Sequence, residues 1–215
     1  MGAIARNIAN KITTSGVFTS GAIANSSVTG ITVLANVSDG ITFISSQTAS
    51  NSASISFTSG LDSTYKAYKF VFSSIHPRTD NATFQFNLST NSGSTYVVTK
   101  TTTLFYNYHD EAGTSGILEY SLGSDLAQST SDQPISPNLG NGADESGSGS
   151  LLLFNPASTT YVKHFISHFQ IYHYLNYTLN ALSAGYGNTT SAINAIRFQM
   201  SSGNFDGTIY LYGIK

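Results

Sequence analysis

After residue 40, apolar and polar residues alternate almost one for one. "ATFQFNL" sets Ala82, Phe84, Phe86 and Leu88 on one face and Thr83, Gln85 and Asn87 on the other. "IRFQM" does the same with Ile196, Phe198 and Met200, and "KAYKFVF" lines up Tyr68, Phe70 and Phe72. Side chains in a strand point to opposite faces in turn, so a period of two predicts strands with one face buried. Strands are expected over 41–46, 53–58, 66–72, 82–88, 94–109, 149–154, 160–174, 179–186, 196–200 and 207–213. Gly, Asn and Ser separate them, the pattern of an antiparallel arrangement joined by turns. The expected fold is all-β, an antiparallel β-sandwich of jelly-roll-like type. Residues 121–150 are polar and rich in Pro, Gly and Ser, and are expected to form a long loop.

The first 40 residues follow a different rule. Ile4, Ile8 and Ile12 recur every four positions, with Ala5 and Ala9 beside them, which places one apolar stripe on a short helix. Residues 13–40 are small and Gly-interrupted, with apolar residues such as Val17 and Phe18 in isolated groups. This stretch is too apolar for a solvated linker and too thin for a core of its own. It predicts an N-terminal helical and extended attachment arm over 1–40, followed by a β-sandwich domain over 41–215. The alternative is a pair of edge strands belonging to the following domain.

Composition narrows the function classes. Only 9% of the 215 residues are charged, and net charge is −2. Ser and Thr together exceed a quarter of the chain, so hydroxyls rather than ions keep the surface wet. The nine Lys and Arg are scattered, which disfavours a nucleic-acid partner. With no cysteine there is no disulfide, which suits assembly in a reducing cytoplasm and equally an extracellular protein that does not rely on cross-links. The start "MGAIARNIANKI" lacks the apolar centre of a secretory leader, and no run approaches the ~18 residues of a membrane span.

The densest chemistry lies in "KHFISHFQIYHYLNY" (163–177), with His164, His168 and His173 among aromatic rings. As a strand, this segment puts His164 and His168 on one face and His173 on the other. Four residues of strand separate the first two by about 13 Å, too far to share a metal ion. His76 or His109 could join either only through the fold. Serines are abundant, but no G-x-S-x-G turn accompanies them, and the carboxylate pairs Asp110-Glu111 and Asp144-Glu145 are adjacent in sequence. Neighbouring strand side chains diverge, so neither pair forms the facing couple of a glycosidase. No catalytic residue, cofactor site or metal site is assigned. Asp144 and Glu145 alone offer a loop carboxylate pair to calcium. Tyr106, Tyr108, Tyr172, Tyr174, Tyr177, Tyr210 and Tyr212 exceed what one core absorbs with hydroxyls attached. They suit a subunit contact or a surface on which sugar rings stack.

Four stretches carry a family resemblance over residues 52–215: "FTSGLDSTYKAYKFVFSSIHP" (57–77), "TKTTTLFYNYHDE" (99–111), "GNGADESGSGSLLLFNPASTTYVKHF" (140–165) and "MSSGNFDGTIYLYGIK" (200–215). In this order they resemble a family of virion structural proteins of tailed bacteriophages, frequent in marine phages and commonly described as tail-fibre or uncharacterised structural proteins. The opening "MGAIARNIANKITTSGVF" looks like a phage attachment arm. The resemblance implies a virion component assembled in the host cytoplasm, held to other virion proteins through Ile4, Ile8, Ile12, Val17 and Phe18, and trimeric like typical phage fibres. It implies no catalytic residues. The leading expectation is a tail fibre or receptor-binding protein touching host glycan or protein. The alternatives are a capsid decoration or head-fibre protein, then a free carbohydrate-binding module, and last a depolymerase.

Overall fold

The computed structural model describes residues 40–215. The expected arm, with Ile4, Ile8, Ile12, Val17 and Phe18, lies outside the described residues. These form twelve strands: β1 (Ile41–Ser52), β2 (Ser54–Phe57), β3 (Ala67–Pro77), β4 (Ala82–Ser89), β5 (Lys100–Asp110), β6 (Gly116–Tyr120), β7 (Gln133–Leu139), β8 (Gly147–Phe154), β9 (Lys163–His173), β10 (Tyr177–Gly187), β11 (Ala195–Met200) and β12 (Phe205–Ile214). None of the described residues is helical, so the all-β expectation holds for them.

Every pairing is antiparallel. The ladder runs β1-β12-β3-β8-β9 and then branches. One branch continues β9-β10-β5-β6. The other crosses a single Leu139–His173 bridge to β7 and proceeds β4-β11-β2. The sheet curls until Gln47 of β1 donates its side-chain amide to the Ser56 carbonyl of β2 at 2.8 Å. The result is an antiparallel sheet nearly closed into a barrel.

Phenylalanines fill the interior. Phe70, Phe72, Phe84, Phe86, Phe165, Phe169, Phe198 and Phe205 are all shielded from solvent, and they come from β3, β4, β9, β11 and β12. Phe72 meets Phe84 edge-on at 5.3 Å and Phe169 at 5.7 Å, tying the β3–β9 wall to β4. The alternation in β4, β11 and the first half of β3 is thus the signature of the core, as the sequence predicts.

Alternation breaks once inside β3. Tyr68, Phe70 and Phe72 point inward, and so do Ile75 and Pro77, which have the opposite parity. An inserted residue restores the phase: Ser74 adopts φ 53° and Gly207 of the paired β12 adopts φ 130° at the matching register shift. A Cβ on Gly207 would meet the Ser74 carbonyl at 2.8 Å. Gly207→Ala should therefore cost about 1–3 kcal/mol in chemical denaturation, from left-handed strain plus the collision. An unchanged midpoint would remove the bulge as a structural requirement.

Two strands depart from the sequence reading. The expected loop over 121–150 contains β7, written "QPISPNL". Proline lacks the amide proton that a ladder needs, so two prolines argue against a strand. β7 accommodates them because it pairs along its length only with β4, with register shifts there, and touches β9 at one residue. β6 is exposed at all five residues, so it carries no burial period to read. The expected strand 94–109 begins only at Lys100 and continues to Asp110.

Candidate functional site

Two hairpins, β5–β6 and β9–β10, end side by side. Asp110 holds the first turn: its carboxylate accepts the amides of Thr114 and Ser115 at 2.8 and 2.9 Å and the Thr114 hydroxyl at 2.5 Å. These bonds, the Thr114 hydroxyl foremost, keep the Asp110 carboxyl below its usual range. In the second turn Asn176 takes φ 60°, and its amide donates to the His173 carbonyl at 2.9 Å. The Glu111 amide donates to the Asn176 carbonyl at 3.3 Å, which joins the two tips.

On the inward side of these tips the register assembles a stack of rings. Tyr106 and Tyr108 are two residues apart on β5 and share a face, 6.5 Å apart. Tyr177 of β10 lies 4.8 Å from Tyr108 with an interplanar angle of 11°. His173, opposite Tyr177 in the β9–β10 ladder, lies 5.0 Å from it at 14°. Tyr174 completes the row at 4.7 Å from His173. The four tyrosines are half-buried and His173 is buried. Tyr106 donates its hydroxyl to Glu119 of β6 at 3.2 Å. Burial, foremost, and that carboxylate both raise the Tyr106 pKa. The Leu175 amide donates to His173 Nδ1 at 3.2 Å, which leaves this nitrogen without a proton. Burial lowers the His173 pKa against the opposing pull of Asp80, so the ring is neutral near pH 7.

The outward side of the same strands is polar. His168 Nε2 and Asn180 Oδ1 are 2.5 Å apart, and the Asn180 side-chain amide donates to Asn107 at 3.2 Å. Gln170 donates to Thr178 Oγ1 at 3.2 Å, and the Tyr172 hydroxyl donates to Glu111 at 2.8 Å. A cavity of about 160 Å³ at this end is lined by His109, Asp110, Glu111, Gln170, Ile171, Tyr172, Tyr177 and Thr178. The rings and these amides face opposite sides of the strands, and the ring side, with Glu119 beside it, suits a ligand that presents a C–H face and hydroxyls.

The histidines take the places strand geometry gives them. His164 and His168 are exposed on one face, and His173 is buried on the other. His76 Nδ1 lies 2.6 Å from the Glu145 carbonyl, and His109 Nδ1 lies 2.9 Å from the Asp110 carbonyl. Among the described residues, no three His, Asp or Glu side chains converge as metal ligands do. Glu145 turns its carboxylate back onto its own loop, accepting the Gly142 amide at 2.6 Å. Tyr106, Tyr108, Tyr174 and Tyr177 gather in the stack, Tyr172 sits behind it, and Tyr210 and Tyr212 lie apart on β12.

Sequence reasoning missed Glu119, Asn107, Asn180 and Gln170. Parity was the available signal for Gln170, which falls in phase with exposed His164 and His168. Glu119 was hidden with its unread strand. No family model, curated protein or solved structure matches this chain.

Proposed function

We propose that this chain is a non-enzymatic virion structural protein of a tailed phage: a tail fibre or receptor-binding protein that contacts host-surface glycan. The observation that carries the reading is the stack Tyr106–Tyr108–Tyr177–His173 at the hairpin tips, half-open to solvent and backed by Glu119. Pyranose rings lie on such aromatic faces and direct their hydroxyls to neighbouring amides and carboxylates. The strand order also supports the reading. The orders β1-β12-β3-β8 and β2-β11-β4-β7 interleave in sequence as the two layers of a jelly-roll-like β-sandwich would, an architecture that viral capsid and lectin domains use. β9, β10, β5 and β6 then prolong the first layer and carry the stack outward.

A glycan array probed with the full chain tests this. Specific binding should weaken about tenfold or more in Tyr108→Ala and Tyr177→Ala, given roughly 1–3 kcal/mol for a lost stacking ring. Absence of any saccharide signal in the parent chain would sink the glycan reading. Copy number per virion separates the alternatives: hundreds assign a capsid decoration protein, and a few to tens assign a fibre.

The same reading includes a homo-oligomer, a trimer by analogy with phage fibres. Its support is the outer face of the β1-β12-β3-β8-β9-β10-β5 sheet. Ile166 and Phe105 are 52% and 42% exposed there, beside half-buried Leu152, Leu182, Val71 and Tyr210. Three rows of residues across seven strands cover roughly 700 Å² at ordinary sheet spacings, close to the ~800 Å² each partner gives a stable contact. Lys69 carries the one formal charge in those rows, histidines aside, so a second copy meets little like-charge repulsion. Sedimentation should find an oligomer that Ile166→Lys converts to monomer. A monomeric parent would remove this part of the reading.

A further inference from the structure

A second cavity, of about 250 Å³, opens between the segments 89–99 and 188–189. Ser89, Thr90, Thr95, Thr99, Asn188 and Thr189 line it together with two valines. We propose that this cavity binds an oxyanion, a carboxylate or sulfate group carried by a small ligand. The inference is independent of the virion reading and of the tyrosine stack.

Two lysines lie where solvent does not reach. Lys100 of β5 and Lys163 of β9 both pair with Gly187 of β10, and both are fully buried on the inward face. They therefore flank one residue, about 10 Å apart at Cα from the spacing of two neighbouring strands. Their acceptors are neutral. Lys100 Nζ donates to Asn87 Oδ1 at 2.6 Å and to the Val98 carbonyl at 2.8 Å. Lys163 Nζ donates to the Tyr161 carbonyl at 2.6 Å and to the Thr189 carbonyl at 3.2 Å.

Compensating charge is scarce. Asp132 acts on Lys100 from a distance, but its carboxylate already accepts Arg197 at 3.2 Å and Gln199 at 3.1 Å. Among the described residues neither ammonium has a bonded carboxylate. A buried cation without an anion is costly, and a site that accepts one from outside relieves that cost. Burial lowers both lysines from their ordinary range, Lys100 to about 8, so Lys100 keeps most of its charge at pH 7.

The cavity stands where that relief would come from. Val98 and Thr189, whose carbonyls hold the two ammonium groups, are wall residues. Two wall hydroxyls also have a proton to give. Thr95 Oγ1 accepts from the Asn91 side chain at 2.9 Å, and Thr189 Oγ1 accepts from the Ser191 amide at 3.0 Å. Each still has its hydroxyl proton to donate. Positive charge behind the wall and hydroxyl donors on it are what an oxyanion needs.

Calorimetric titration of the full chain at pH 7 with sodium sulfate, phosphate, glucuronate and glucose tests the site. Saturable binding of an oxyanion and none of glucose is the expected result. Binding of glucuronate alone assigns the carboxylate to a saccharide, and binding of all three anions assigns a general oxyanion site. Thr95→Val and Thr189→Val, which keep volume and leave the lysines in place, should each weaken binding about tenfold, the effect of one lost hydrogen bond to a charged group. Lys163→Met should abolish it, with circular dichroism verifying the fold. No saturable anion binding in the parent, or binding unchanged in both threonine variants, overturns the proposal.

Discussion

Phe198→Ala will destabilise the fold by about 3–5 kcal/mol, the cost of emptying a large buried aromatic site. Phe198 contributes more ring contacts than any other residue of the described core. It lies 6.4 Å from Phe57, 5.2 Å from Phe70, 5.1 Å from Phe72, 6.0 Å from Phe84 and 6.4 Å from Phe86. Those rings come from β2, β3 and β4, so this one side chain of β11 fills the space between β3 and the β4-β11-β2 branch of the sheet. Truncation leaves a void bounded by rigid rings, which cannot collapse into it as a cluster of leucines does. A domain of this size has roughly 5–15 kcal/mol in hand, so the variant should lose about a fifth of it or more. Urea denaturation measures this as a lower midpoint at unchanged slope. Phe198→Leu keeps much of the volume and should recover at least half of the loss. A cost below about 1 kcal/mol in the alanine variant would mean that the ring cluster is not the keystone its geometry indicates.

The same cluster shows why part of the fold was legible in the sequence. Strands with one buried face write it as alternation, and β4 over 82–86, β11 over 196–200 and β3 over 68–72 do so. β6 has no buried face and β7 carries two prolines, so the physical causes of those strands, a neighbour's edge and a one-sided pairing, lie outside their own residues. The curl that brings β1 to β2 is likewise a property of pairing order, which period alone does not encode. The tyrosines of the candidate site were legible as an excess, but their gathering depends on the β5–β10 register. Lys163 was within reach: it falls in phase with Phe165, Phe169 and Ile171, the inward residues of β9. A cation at an inward position of an otherwise apolar face is a signal in its own right.

The second large effect concerns Lys100 and alkaline pH. Its folded pKa of about 8 is depressed from 10.5, by burial first and against the pull of Asp132. Between those values the unfolded chain binds the proton and the folded chain does not, so stability rises as pH increases from about 8 toward 10. Below about 8 both states are protonated and the full cost of the buried charge, about 3 kcal/mol, is present. Lys163 is shifted the same way, again by burial. The His173 shift is also downward, but its effect is complete by about pH 7, below this window. Tyrosines set the upper limit. Tyr68 and Tyr106 are raised, so above about pH 10 the unfolded chain loses their protons first and stability falls. The expected profile is a maximum near pH 10 instead of a decline from neutrality. Lys100→Met should flatten the rise and be the more stable protein at pH 7, by about 1–2 kcal/mol. The substitution leaves few acceptors stranded, because Asn87 Oδ1 still accepts the Leu88 amide at 2.9 Å and only the Val98 carbonyl loses its donor. Denaturation of both proteins at pH 7, 8, 9 and 10 reads the result directly. Equal slopes in parent and variant would assign the charge cost elsewhere, whereas a parent slope that shrinks under saturating oxyanion would tie this lysine to the cavity beside it.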